Sequence, residues 1–138
     1  MKVLGLDVGD KKIGVAISDE LGYTAQGLTV IYRKSLKEDL EEINKIITLH
    51  NVSEIVVGYP RNMNGSLGPR AKVVEQFAKA LHEFTGIKPV FWDERLSTVE
   101  AEKLLISGDL SRHKRKKVID KMAATLILSG YLNYKSKT

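Results

Sequence analysis

The chain has 138 residues, of which 43% are hydrophobic and 28% are charged, and its formal net charge is +5. This length fits one domain with a sizeable hydrophobic core. The absence of cysteine excludes disulfides, thiol catalysis and cysteine-based zinc sites. Because the sequence shows neither a membrane-spanning apolar stretch nor a basic-then-apolar signal peptide, we expect a cytoplasmic protein that does not contact a membrane.

The basic excess lies in the C-terminal part of the chain. Residues 109–138 contain eight Lys and Arg against two acidic residues, whereas residues 1–108 are close to neutral. A basic patch on a small domain is typical of proteins that bind polyanions. On charge alone, a solvated surface explains the pattern equally well.

The first three predicted elements are strands joined by short turns. Their apolar residues fall within Met1–Asp7, Lys12–Asp19 and Ala25–Tyr32. Strands with such short connections pair antiparallel.

Helices and strands alternate through the next part of the chain. A capping box at Ser35 begins a helix that reaches about Leu49, and the short apolar run Glu54–Gly58 predicts a strand. After a loop over Tyr59–Gly68, a helix begins at Pro69 and ends at Gly86.

The last predicted elements are the strand Pro89–Asp93 and two helices. A second capping box at Ser97 begins a helix that ends near Gly108, and the basic segment Asp109–Lys117 leads to a final helix over Val118–Tyr134. Parallel strands require right-handed crossovers. The order therefore predicts a single α/β domain over residues 1–138, with helices on both faces of a mixed five-stranded sheet of three antiparallel and then two parallel strands.

Three acidic residues stand where folding alone does not require them. Asp7 interrupts an apolar strand, where a charge is costly unless it is paired or bound. Glu94 ends the fifth strand, and Asp120 lies early in the last helix, one turn before small alanines. Ligands gather at the carboxyl ends of parallel strands, so we expect these carboxylates to converge there.

A structural role stays open for each of the three acids. Asp7 could cap the following turn, Glu94 could pair with Arg95, and Asp120 could sit favourably in the helix dipole. Converging carboxylates repel one another, however, and a hard divalent cation such as Mg²⁺ or Mn²⁺ resolves that repulsion. Two such ions support phosphodiester cleavage, so we predict Asp7, Glu94 and Asp120 as catalytic metal ligands.

Basic residues near this site are predicted to contact the phosphates of a nucleic acid. Such contacts give salt-dependent binding with little reading of sequence. Tyr59, after the fourth strand, could stack on a base, although the loop that it begins also reads as an ordinary connection. The predicted phosphate-contacting residues are Lys11, Lys12, Arg95, Arg112, Lys114, Arg115, Lys116 and Lys117.

In these residues the chain resembles the YqgF family, described as RuvC-like Holliday junction resolvases and as pre-16S rRNA nucleases. The resemblance covers the chain from end to end. The matching segments are Gly5–Asp19 (GLDVGDKKIGVAISD), Gly58–Pro60, Asn64–Ser66, Asp93–Thr98 (DERLST) and Asp120–Ala124 (DKMAA).

The resemblance implies an RNase H-like fold, divalent-metal-dependent nuclease chemistry and a cytoplasmic role in ribosomal RNA maturation. It carries over Asp7, Glu94 and Asp120 as the acidic site. Many RNase H-like nucleases have an acid at the end of the fourth strand, where this chain has Gly58. The site would therefore contain two acids if Glu94 did not reach inward.

Two other function classes fit parts of the sequence. A strand-Asp-x-Gly hairpin is also the first phosphate-binding loop of sugar kinases and actin, but those proteins close two such domains over ATP. A catalytically inert nucleic-acid-binding module would share the basic run without needing the acids. Within the nuclease class, a structured RNA precursor and branched DNA are both compatible substrates, and the protein could be a monomer or a homodimer.

Overall fold

The structure, a computed structural model, describes residues 1–60, 68–93 and 112–136, of which residues 112–121 are described by their backbone alone. The strands are β1 Lys2–Val8, β2 Lys12–Ser18, β3 Ala25–Tyr32, β4 Val52–Tyr59 and β5 Val90–Asp93, and the helices are α1 Leu36–His50, α2 Pro69–Thr85 and α3 Arg112–Ser136.

The strands form one five-stranded sheet in the order β3-β2-β1-β4-β5. β2 pairs antiparallel with both β1 and β3, whereas β1, β4 and β5 run parallel. The predicted mixed sheet is thereby confirmed. Because the three parallel strands point the same way, their carboxyl ends lie at one edge of the sheet, where Asp7, Gly58 and Asp93 are found.

Each face of the sheet buries a separate apolar cluster. Leu4 and Leu6 of β1 belong to the cluster beneath α1 and α2. Val3, from the same strand, belongs to the cluster beneath α3. Successive residues of a strand point to opposite faces, so Gly5 and Asp7 share the α3 face with Val3.

The caps of α1 and α2 follow the sequence signals. The Ser35 side chain accepts a hydrogen bond of 3.1 Å from the backbone N–H of Glu38. Pro69 occupies the first turn of α2, and Gly86 ends that helix at a φ of 79°, in the left-handed region that glycine tolerates.

The last helix differs from the prediction in its start and in its buried face. α3 begins at Arg112 rather than Val118, so the basic run forms its first turns; Lys and Arg are good helix formers. Met122 and Leu126, predicted on the inner face, are partly exposed, whereas Ala124 is fully buried. The predicted helix from Ser97 to Gly108 lies outside the described residues. No described helix is long and apolar enough to cross a membrane.

Two glycines allow α3 to lie directly against the sheet. A Cβ added at Gly5 would lie 2.8 Å from the Leu128 Cβ and 3.2 Å from the Ala124 carbonyl oxygen. A Cβ added at Gly130 would lie 2.9 Å from Nε1 of Trp92. Larger residues at these positions would push the helix away from β1 and β5.

A polar contact fixes the C-terminal end of α3 to the start of β4. The Tyr131 hydroxyl donates to the Glu54 carboxylate, and Lys135 forms an ion pair with it. Burial alone would raise the pKa of Glu54, but the bonds from Lys135 and Tyr131 outweigh burial and lower it. Burial and the Glu54 carboxylate raise the pKa of Tyr131 to about 12, so this hydroxyl stays a donor at neutral pH.

Replacing Gly130 with Ala tests the contact between α3 and Trp92. We expect Gly130→Ala to destabilise the protein by about 1–2 kcal/mol, because the new Cβ overlaps the indole ring. In a Trp92→Leu background the same change should stabilise by up to about 1 kcal/mol, since only the better helix propensity of Ala remains. Urea unfolding of the four proteins measures both effects, and equal effects in the two backgrounds would contradict the contact.

Candidate functional site

Asp7 lies near the end of the central strand, on the face that α3 covers. It pairs with Gly14 of β2. Leu6 pairs with Val57 of β4, so Asp7 comes level with Gly58 on its other side. Because glycine has no side chain, the strands on both sides of this half-buried carboxylate leave room for a ligand to approach it.

The direction of α3 brings its N-terminal half towards Asp7. Glu54, at the start of β4, contacts Tyr131 and Lys135, whereas Gly5 contacts Ala124 and Leu128. The helix therefore runs antiparallel to β1. Two residues along a strand advance about 6.6 Å, and one helical turn rises about 5.4 Å. The backbone position of Asp120, one turn before Ala124, consequently comes level with Asp7.

The third predicted acid, Glu94, lies outside the described residues, as does Arg95. β5 is described as far as Asp93, which pairs with Tyr59 of β4. Trp92 pairs with Gly58, so it lies on the same face as Asp7. The position at the end of β4 where an acid would complete a site around Asp7 is therefore occupied by Gly58.

The part of the chain that the structure describes with side chains contains one of the three predicted acids, Asp7. Within that part, no group of three His, Cys, Asp or Glu side chains could hold a metal ion. For Asp120 the structure describes the helical backbone but not the side chain. The convergence of the three carboxylates accordingly stays a prediction.

The turn after Asp7 is tight and is held by Arg33 from the end of β3. The Gly9 N–H donates to the Lys12 carbonyl oxygen at 2.8 Å. Arg33 donates to the Gly9 carbonyl oxygen at 3.0 Å, and its Nε lies 3.0 Å from Oδ2 of Asp39. Asp39 is 2% exposed, so this is a buried ion pair that joins the turn to α1.

Arg70, in the first turn of α2, holds the same turn from a second side. It donates to the Val8 carbonyl oxygen at 2.7 Å and forms an ion pair with Asp10. The two carbonyl groups that follow Asp7 in the chain are thus each bound by an arginine from another element. These bonds fix the backbone that carries the Asp7 side chain. Sequence reasoning missed both arginines, because nothing local links Arg33 or Arg70 to this turn.

The predicted phosphate-contacting residues divide into described and undescribed groups. Lys11 lies in the turn after Asp7 and Lys12 begins β2, with its ammonium 5.7 Å from the centroid of the Tyr32 ring. The structure gives the helical backbone of the basic run that begins at Arg112, without its side chains. That run covers the residues Arg112, Lys114, Arg115, Lys116 and Lys117.

The aromatic residue suggested by the sequence lies away from Asp7. Tyr59 packs in the cluster beneath α1 and α2, on the opposite face of the sheet. Its hydroxyl donates to Glu75, and its ring centroid lies 4.8 Å from that of Phe91. Tyr32, which sequence reasoning did not single out, is an exposed aromatic residue on the Asp7 face. Its side of the strand could be read from alternation, but its closeness to Asp7 required the strand order.

Replacing Arg33 tests whether its ion pair with Asp39 stabilises the structure around the turn that follows Asp7. We expect Arg33→Ala to destabilise the protein by about 3–5 kcal/mol, because it leaves the Asp39 carboxylate buried without its cationic partner. Lys34→Ala is the matched control. Its backbone N–H still donates to Asp39, so its effect should stay within about 0.5 kcal/mol. Urea unfolding measures both, and similar losses in the two variants would contradict the role of the guanidinium.

The sequence is similar to one family and to curated relatives over nearly its whole length. Residues 1–134 match the family described as "RuvX: Holliday junction resolvase". A relative named "Putative pre-16S rRNA nuclease" from Carboxydothermus hydrogenoformans is 83% identical over 137 residues, covering 99% of each chain. A relative of the same name from Halothermothrix orenii is 58% identical over 137 residues, covering 99% of this chain and 98% of the relative.

Two solved structures share the fold at low identity. RuvC of T. thermophilus in complex with its Holliday junction substrate has a TM-score of 0.62 and 14% identity, covering 100% of this chain and 97% of that one. The fowlpox virus resolvase in complex with substrate Holliday junction DNA has a TM-score of 0.60 and 14% identity, covering 98% of this chain and 99% of that one. The predicted RNase H-like fold is confirmed by these two likenesses.

Proposed function

Because the chain belongs to the RuvX family of Holliday junction resolvases, which is the YqgF family that its sequence resembles, we propose a specific nuclease function. The protein hydrolyses phosphodiester bonds with a divalent metal and acts in 5′-end processing of pre-16S rRNA in the cytoplasm. The observation that carries the proposal is Asp7, a carboxylate between two glycines at the end of the central strand, facing the helix that contains Asp120. The names of the relatives support the substrate.

The acids present fit a hard divalent cation. Carboxylate oxygens are the donors that Mg²⁺ and Mn²⁺ prefer, and the glycines beside Asp7 leave space for a ligand. We infer that Asp7, Glu94 and Asp120 would hold the metal. When bound, two such ions supply an activated water and stabilise the leaving oxygen.

The order of the strands supports Glu94 as the third acid. Gly58 provides no carboxylate, so the third one must come from another element. Trp92 lies on the Asp7 face, and residues two apart in a strand share a face, so an extension of β5 by one residue would place Glu94 on that face. An inward Glu94 on β5 and Asp120 on α3 would then approach the space above Gly58 from two sides.

The position of the basic run supports phosphate binding beside the acids. The first residue of α3, Arg112, precedes Asp120 by eight positions, or about 12 Å along the helix axis. Lys11 lies in the turn that follows Asp7, and Lys12 is the first residue of β2. Contacts from these groups and Arg95 to phosphates would position a nucleic acid over the site without reading its sequence.

Replacing Asp7 with Asn tests the site. We expect Mg²⁺- or Mn²⁺-dependent cleavage to fall by more than about 100-fold, since changes outside the ligand set alone cost 10–100-fold. Nucleic-acid binding should be kept or improved, because a negative charge near the phosphates is removed. Cleavage and binding of labelled nucleic acid by the purified variant measure the two effects.

Asp19→Asn is the matched control for this experiment. Asp19 lies in the turn between β2 and β3, at the opposite edge of the sheet, and accepts N–H bonds of 2.8 Å and 3.0 Å from Tyr23 and Thr24. An amide oxygen can accept the same bonds, so cleavage should be unchanged. If purified Asp7→Asn protein still cleaves, the proposed site is wrong. If the unchanged protein binds nucleic acid and cleaves none, it is an inert binding module.

Resolution of branched DNA is the second candidate function, favoured by the description of the family. We expect the protein to cut the 5′ precursor segment of 16S rRNA and to leave a four-way DNA junction intact at the same metal and salt concentrations. Parallel digestion of the two substrates checks this. Cleavage of the junction alone would reverse the assignment and would require a dimer, because resolution needs two symmetric cuts.

A further inference from the structure

Tyr32 is an exposed aromatic residue on the same face and at the same edge of the sheet as Asp7. Asp7 pairs with Gly14, Gly14 pairs with Val30, and Tyr32 follows Val30 by two residues. Two strand spacings and two residues along a strand separate the Cα atoms of Asp7 and Tyr32 by roughly 12 Å. Tyr32 is 57% exposed.

The ring of Tyr32 has a basic residue beside it and a groove on its outer side. The Lys12 ammonium lies 5.7 Å from the ring centroid. β3 is the outermost strand of the described sheet. Between β3 and α1 lies a groove of about 500 Å³, to which Tyr32, Lys34 and Lys45 contribute.

The charges near Tyr32 favour an anionic ligand. Lys34 and Lys45 line the groove together with one acidic residue, Glu42, and the Lys12 ammonium lies by the Tyr32 ring. The nearby Arg33 is paired with Asp39. An exposed aromatic ring among lysines combines the two groups with which proteins bind single strands, a surface for stacking and cations for phosphates.

Exposure of the ring alone would mean little, since single apolar residues are common on protein surfaces. The position of Tyr32, close to Asp7, distinguishes it from such residues. Trp92, on the same face at the other side of Asp7, packs against Tyr131 and Tyr134 of α3. Tyr32 keeps more than half of its surface exposed, within reach of a nucleotide that flanks a phosphate bound at Asp7.

We propose that Tyr32 is a stacking platform for an unpaired nucleobase next to the phosphodiester bond that is cut. Lys11, Lys12 and Lys34 hold the adjoining phosphates. This inference rests on the proposed nuclease function and adds a feature of the substrate, a single-stranded segment beside the cut. The single-stranded flank of an RNA precursor offers such a base, whereas a fully paired four-way junction does not.

Binding of a hairpin RNA with and without a single-stranded overhang tests the proposal. The overhang carries 2-aminopurine, whose fluorescence falls when it stacks, and a chelator keeps the RNA intact. The unchanged protein should prefer the overhang and quench the probe. Tyr32→Leu should weaken binding of the overhang RNA by about 5- to 100-fold and abolish quenching, with blunt hairpin binding unchanged. Tyr32→Phe, which keeps the ring, should behave as the unchanged protein does.

Tyr23→Leu is the matched control, because Tyr23 is 73% exposed in the turn at the opposite edge of the sheet. It should leave both affinities unchanged. Equal affinity of the unchanged protein for the overhang and blunt RNAs would overturn the proposal, as would equal losses in Tyr32→Leu and Tyr32→Phe. A DNA hairpin with the same overhang shows whether the platform distinguishes the two sugars. Because this experiment measures binding and not cleavage, its outcome does not depend on which residues prove to be catalytic.

Discussion

The contact between α3 and β1 determines where the parts of the candidate site can lie. Gly5 has no side chain, and the helix presents Ala124 to it, so backbone approaches backbone at van der Waals distance. Contacts of this kind leave little freedom for the helix to slide or turn, because protein interiors are closely packed. Glu54 holds the far end of the same helix through Tyr131 and Lys135. The height of Asp120 relative to Asp7 is therefore a consequence of how α3 packs on β1 and β4.

The opposite face of the sheet serves a different purpose. There α1 and α2 cover the larger apolar cluster, and they also supply the groups that hold the turn after Asp7. Asp39 of α1 orients Arg33, and Arg70 comes from α2 itself. Buried ion pairs often add little net stability, but they enforce one geometry, since a displaced partner leaves a buried charge. The backbone that follows Asp7 is thus fixed from one face, while the Asp7 side chain lies on the other.

Local patterns in the sequence were enough to predict the class of fold. Turn residues, capping boxes and apolar spacing predicted a mixed five-stranded sheet with helices on its faces and placed Asp7 near a strand end, whereas the RNase H-like fold followed from the family resemblance and the strand order from the structure. They could not predict the start of α3, because six charged or polar residues in succession carry no apolar periodicity. Nor could they predict the bonds from Arg33 and Arg70, which join residues 24 and 62 positions apart. Glu94 and the side chain of Asp120 lie outside the description, so the meeting of the three acids stays a prediction.

The two glycines beside Asp7 leave space around a carboxylate on the central strand. A carboxylate in the middle of a sheet would normally be crowded by the side chains of both neighbouring strands. Gly14 and Gly58 remove those side chains at the level of Asp7, while Ala16 and Val56, two residues away on the same face, are fully buried beneath α3. The space is therefore confined to the level of Asp7, and the neighbouring level keeps its packing. A substrate phosphate would enter between α3 and the turn after Asp7, with Tyr32 on one side of its path and β5 on the other.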